Sequence, residues 1–173
     1  ANSENVRRRI RRYYRREAEV IFPPVDTKNT RLSPKDDGYF LVVSALAPYK
    51  RIDLAVEAFN RLGERLVIIG TGQDEQKLKR ISGRNIEFLG WVEPGKLGDY
   101  YAGCRALIFP GEEDFGIVPV EAQCYGKPVI ALGRGGALET VRGQWPAERV
   151  DPATEPHTGV FFQEQTPQEL VEA

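Results

Sequence analysis

The chain predicts an α/β fold, a parallel sheet with helices on both faces. Three observations carry that expectation. Short, wholly apolar runs alternate with stretches whose apolar residues recur every three or four positions. The runs show no polar alternation, so each strand is buried on both faces, as in parallel sheets. Glycine-bearing segments follow most of the runs, where strand-to-helix turns belong.

The elements follow in order. Residues 3–16 predict a helix capped near Asn2 or Ser3, with Val6, Ile10 and Tyr13 on one face and arginines over the rest. Residues 19–22 predict a short strand, closed by Pro23-Pro24, and 27–38 is polar and linker-like. This divides the chain into residues 1–24, a linker 25–38 and a body 39–173. The body opens with a strand at 39–45 and a helix at 51–62, whose Ile52, Ala55, Val56, Phe59 and Leu62 share one face. Strand 66–69, helix 73–81, strand 86–89, helix 94–102 and strand 105–110 follow. Helix 118–125, stopped by Gly126-Lys127-Pro128, leads to strand 128–132 and helix 137–141. An irregular loop spans 143–158, then strand 159–162 and a helix from Pro167.

With 173 residues, 41% hydrophobic and 28% charged, the chain suits one globular domain with pieces of a second. No apolar run approaches the ~20 residues that span a bilayer, and the polar, then basic, N-terminus shows no leader. Cys104 and Cys124 have neither disulfide-framework nor metal-ligand spacing and read as core residues in a reducing compartment. The expected location is the cytoplasm. Net charge is −1, yet residues 1–16 hold seven Arg and one Glu, leaving 17 basic and 24 acidic residues elsewhere. The sharper reading of that asymmetry is a patch for an anionic surface, with peripheral association at the inner face of a membrane. The plainer reading, a solvated helix docking one face on the body, takes precedence. No nucleic-acid module follows the arginines, so no nucleic-acid partner is expected.

Glu113-Asp114-Phe115-Gly116-Ile117-Val118-Pro119-Val120-Glu121 is the stretch around which the body is organised. It reads as a loop entering a helix. First-turn amides lack partners and the helix dipole is positive there, so this end suits an anion. Glu113 and Glu121 bracket the turn, and both can point into one cleft, where carboxylates accept sugar hydroxyls. A plain acidic loop before a core helix is the alternative. Pro48-Tyr49-Lys50-Arg51 places two cations at a helix start, against the dipole, which a phosphate partner would offset. Gly70-Thr71-Gly72 is a weak signal. Glu75 stands where a dinucleotide fingerprint needs glycine, and no Gly-Lys-Ser/Thr follows, so a tight turn explains it equally. His157, the one histidine, sits in a loop, and Ser44 has no His motif beside it. There is no Asp-x-Asp and no His or Cys cluster, so neither a metal nor another cofactor is expected.

Taken in order, Val43-Ser44-x-Leu46-x-Pro48-Tyr49-Lys50-Arg51, Ile69-Gly70-x-Gly72, Phe88-Leu89-Gly90-Trp91-Val92 and Glu113-x7-Glu121 resemble the nucleotide-sugar half of glycosyltransferase family 4. These are retaining enzymes of the GT-B fold, and the mannosyltransferase branch of surface-polysaccharide biosynthesis is most similar. The resemblance implies a Rossmann-like sheet, the C-terminal half of GT-B. It implies that Glu113 contacts hydroxyls of the transferred sugar and Glu121 the ribose. Backbone amides of Phe115, Gly116 and Ile117 would meet sugar and diphosphate. Gly70 and Gly72 belong to the same donor-binding set. Lys50 would neutralise the leaving diphosphate, and backbone at Trp91 and Val92 would border the base. Many members carry Arg where this chain has Ala45, which leaves Arg51 as the substitute cation. The donor implied is GDP-mannose or a similar nucleotide hexose, and the acceptor a glycan or lipid-linked group. That acceptor binds mostly to the other half, of which residues 1–24 resemble only the last helix and strand. Two rival readings are a nucleotide-sugar epimerase of the same fold and a non-catalytic domain binding nucleotide sugar or membrane.

Overall fold

A computed structural model of the chain describes residues 1–28, 30–146 and 156–173. Its strands are β1 Phe40–Val43, β2 Leu66–Ile69, β3 Ile86–Gly90, β4 Leu107–Phe109, β5 Val129–Leu132, β6 Gly143–Gln144 and β7 Gly159–Phe162. The helices are α1 Glu4–Tyr14, α2 Ile52–Leu62, α3 Glu75–Ile81, α4 Pro94–Gly103, α5 Ile117–Cys124, α6 Ala137–Thr140 and α7 Pro167–Glu172. Every strand pair is parallel, and the sheet order is β3-β2-β1-β4-β5-β7-β6.

The sheet is covered on both faces, as the apolar runs require. Successive residues of one strand enter opposite cores. Val42, Leu66, Ile68 and Ile108 pack with Ile52 and Phe59 of α2, Leu78 of α3 and Leu170 of α7. Leu41, Val67, Ile69 and Leu107 pack with Tyr101 of α4, Ala122 of α5 and Ala137 of α6. Burying one such side chain contributes about 1.5–3 kcal/mol, so both faces are needed to hold the sheet. Helix ends follow local chemistry. Ser3 caps α1 by accepting from the Val6 amide, and Gly63 ends α2 in the left-handed region, its N–H on the Phe59 carbonyl.

Two expectations are corrected. Residues 19–22 form no strand. Their segment returns instead on the chain start, with the Ile21 amide on the Ala1 carbonyl at 2.9 Å, and Ile21 and Phe22 stay exposed. An apolar run becomes a strand only where a ladder partner stands beside it. The loop at 143–158 contains β6, a two-residue edge strand parallel to β7 and too short for any periodic signal. Residues 147–155 of that loop lie outside the described residues, as does Asn29 in the linker.

The order of strands places the site. The chain leaves β1 toward β2 and leaves β4 toward β5, in opposite directions along the sheet. β1 and β4 are neighbours, with Leu41 opposite Leu107. The loops after these two strands therefore diverge and leave a crevice at the switch point. Among the described residues no helix is long and apolar enough to cross a membrane.

Candidate active site

A cavity of about 320 Å³ opens at the switch point. Ser44, Ala45 and Lys50 line it from the loop after β1, and residues 113–118 from the loop and helix after β4. Asn2 and Pro23 close it from the N-terminal segment. Lys50 ends a single 3-10 turn, Pro48–Lys50, which aims its side chain across the crevice. There its ammonium pairs with the Glu113 carboxylate, and the two side chains are only 19% and 20% exposed. Lys50 Nζ also stands 5.1 Å from the Tyr49 ring centroid.

The Glu113 loop is pinned from behind. Its carbonyl accepts the Gly136 amide at 2.8 Å, and a Cβ on Gly136 would stand 2.3 Å from the Phe115 Cα. No side chain could enter that contact. Gly116 then turns the chain into α5 at φ 85°, and no side chain caps the α5 start. The cavity is thus lined by one cation, Lys50, the acidic residues Glu113 and Asp114, and the positive end of a helix, a constellation that accepts a phosphate and a hydroxyl together.

Glu121 departs from the one-cleft expectation. It lies inside α5, on the side facing α4, and lines a second cavity of about 780 Å³ with Arg31, Leu97 and Tyr125. Tyr101 Oη donates to Glu121 Oε2 at 2.7 Å, and the Tyr101 and Tyr125 rings stack at 5.7 Å. Burial, then the bond to Glu121, pushes the Tyr101 phenol far up, so it remains a neutral donor.

Residues 26–173 match the family described as glycosyl transferases group 1. The chain belongs to that family. An uncharacterized glycosyltransferase of Methanocaldococcus jannaschii is 28% identical over 144 residues, 80% of this chain and 41% of the relative. The GDP-mannose-dependent monoacylated alpha-(1-6)-phosphatidylinositol monomannoside mannosyltransferase of Corynebacterium glutamicum is 33% identical over 114 residues, 57% of this chain and 30% of the relative. Among solved structures, Anabaena HepE in complex with UDP and glucose matches with a TM-score of 0.68 at 21% identity, covering 88% of this chain and 45% of that one. The chain therefore spans less than half the length of each. The Rossmann-like parallel sheet is a fold this chain shares with solved GT-B glycosyltransferases.

The remaining predicted residues of this group 1 glycosyl transferase domain are dispersed. Arg51 turns to Asp53, at 3.2 Å, and Gln165, at 3.4 Å, and does not line this cavity. Gly70 and Gly72 lie against the backbone of Ser44 and Leu46, as the tight-turn reading has it. Trp91 is 71% exposed and Val92 packs on the second core, and neither lines the two cavities. Sequence reasoning missed Asn2 and Pro23 as walls, Asp114 as a partner of Arg9, and Tyr101 as a partner of Glu121. The cap signal near Asn2 or Ser3 and the reading of residues 3–16 as a helix docking on the body were the hints that the chain start mattered. Among the described residues no group of three or more His, Cys, Asp or Glu is placed to hold a metal ion.

Proposed function

We propose that this chain is the donor-binding half of a retaining glycosyltransferase of family 4, which moves a hexose from a nucleotide sugar to a glycan or lipid-linked acceptor. The observation that carries this reading is the meeting of Lys50 and Glu113 in one cavity beside the uncapped start of α5. Breaking a sugar–phosphate bond develops charge on the leaving diphosphate. A fixed cation and fixed amides there lower the barrier, each such donor being worth about 3 kcal/mol. Lys50 and the amides of Phe115, Gly116 and Ile117 take the diphosphate, and Glu113 accepts hydroxyls of the transferred sugar. This assignment needs no metal. Glu121 takes the ribose hydroxyls in the second cavity, and backbone at Trp91 and Val92 borders the base. GDP-mannose is the donor we assign first, supported by the name of the Corynebacterium relative. The UDP and glucose of the Anabaena structure name the rival donor. Residues 1–24 read as the last piece of an acceptor-binding half and 25–38 as the linker. The chain alone then binds the donor and does not transfer it.

Calorimetric titration with GDP-mannose, UDP-glucose and ADP-glucose tests this reading. Binding of one donor in preference to the others is expected, and it fades in Glu121→Ala. Binding of none, by the chain or by a longer protein containing it, would sink the assignment.

A second reading concerns α1. Arg8, Arg11 and Arg12 are exposed beside Tyr13 and Tyr14, 68% and 75% exposed, a composition that suits the anionic face of a cytoplasmic membrane. Co-sedimentation with phosphatidylserine vesicles is expected to fall on changing Arg8, Arg11 and Arg15 to Glu. Unchanged sedimentation returns the helix to a docking role.

A further inference from the structure

The N-terminal segment does more than close the cavity. Ser3 has no exposed surface, and its Oγ donates to the Asp114 carbonyl at 2.6 Å while accepting the Val6 amide at 3.1 Å. The next two amides of α1, Glu4 and Asn5, donate to Oε2 and Oε1 of Glu139, both at 2.8 Å. A carboxylate held by two first-turn amides sits where the helix dipole favours negative charge. Arg9, one turn further along α1, pairs with the Asp114 carboxylate. The Phe22 ring lies 5.9 Å from that of Phe115.

These contacts close a circuit. Gly136, which leads into α6, holds the Glu113 carbonyl. Glu139, on the same α6, holds the start of α1. Ser3, at the start of α1, holds the Asp114 carbonyl. Two successive carbonyls of the Glu113 loop are thus held from two sides, one by Gly136 just before α6 and one by Ser3 just before α1, whose first amides Glu139 of α6 holds in turn. The two peptide units that flank Asp114 are thus each held at the carbonyl, which restrains the turn from which the Glu113 side chain leaves.

We infer that Ser3 and Glu139 are positioning residues for Glu113, acting through the start of α1. Neither touches the Lys50–Glu113 pair. Their part is to hold the 113–116 loop in the form that keeps Glu113 on Lys50. The inference rests on the donor-site reading only for its binding readout.

The test compares Ser3→Ala, Glu139→Gln and Glu139→Asp with a distant control in the full chain. Glu139→Gln keeps the shape but turns an amide NH2 toward an α1 N–H. Glu139→Asp keeps both acceptors. The control is Asn60→Ala, which removes bonds to Ile81 and Gly83, both at 2.7 Å, away from the site. Hydrogen exchange over residues 112–117 and calorimetry with GDP-mannose are read together. Ser3→Ala and Glu139→Gln are expected to speed exchange over 112–117 at least about tenfold and weaken the nucleotide sugar about tenfold. That binding change is equivalent to about 1.4 kcal/mol. Glu139→Asp recovers part of both, and Asn60→Ala changes neither. Faster exchange in α1 alone, with 112–117 at the wild-type rate, would overturn the inference. Should the wild type bind no nucleotide, the donor reading fails by itself, and exchange over 112–117 still decides the positioning role.

Discussion

Glu113→Gln is expected to tighten binding of GDP about tenfold while weakening GDP-mannose by at most about tenfold, and Lys50→Ala to weaken both by about 10–100-fold. The opposite signs follow from the ion pair. Lys50 and Glu113 neutralise one another in a half-buried cavity. A diphosphate arriving there must draw the ammonium away from its carboxylate and sit close to a second negative charge. Glutamine removes that charge and releases the lysine, so a ligand that needs only the cation gains. A tenfold gain is about 1.4 kcal/mol, modest for a partly screened charge. A nucleotide sugar also presents hydroxyls to Glu113, and a charged acceptor makes the stronger bond, typically about 1.5–3 kcal/mol. That loss outweighs the gain. Lys50→Ala removes the cation and leaves the carboxylate unpaired, which repels the diphosphate of either ligand. Calorimetry with the two ligands on three proteins is the measurement. Equal effects of Glu113→Gln on GDP and GDP-mannose would mean that the pair is structural and the ligand sits elsewhere.

Gly70→Ala is expected to cost about 3–5 kcal/mol of stability and lower the melting temperature by roughly 10 °C. Gly70 has φ 131°, and a Cβ there would stand 1.9 Å from the Ser44 carbonyl oxygen. The obstacle is backbone, and it cannot swing aside. The Ser44 amide bonds the Ile69 carbonyl at 3.0 Å and the Leu46 amide bonds that of Thr71 at 2.9 Å, so the two loops are laced together. Unfavourable φ and overpacking each cost about 1–3 kcal/mol, a large part of a domain's whole stability. The same opening would shift Ser44 and Ala45, so ligand binding falls as well. Gly95→Ala is the control: Gly95 lies in α4 with nothing within 4 Å of its would-be Cβ, and alanine favours helix. It should be neutral or slightly stabilising. Denaturant melts of both variants decide the matter, and a Gly70→Ala loss under about 1 kcal/mol would show that the loops separate easily.

These two sites differ in how far the chain foretold them. Lys50 and Glu113 were marked by chemistry and by their place after apolar runs. Their meeting across 63 positions followed from β1 lying beside β4, which the order of runs does not state. Gly70 was legible as a turn, but the Ser44 carbonyl that excludes a side chain there belongs to the loop after another strand, β1. Glu121 shows the same limit from the other side. Its spacing from Glu113 suggested one cleft, and α5 turned it toward Tyr101.

Periodicity and punctuation along the chain were enough for the layered α/β architecture, the parallel strands and the loops that carry the site. These properties are local, since burial on two faces and helix stops are written within a dozen residues. The direction taken by each charged side chain was left to packing. Arg51 found Asp53 and Gln165, Lys50 found Glu113, and the arginine-rich N-terminus docked through Ser3, its one fully buried hydroxyl. A half-buried charge settles on whichever partner the fold brings within hydrogen-bond reach, 2 residues away for Arg51 and 63 for Lys50.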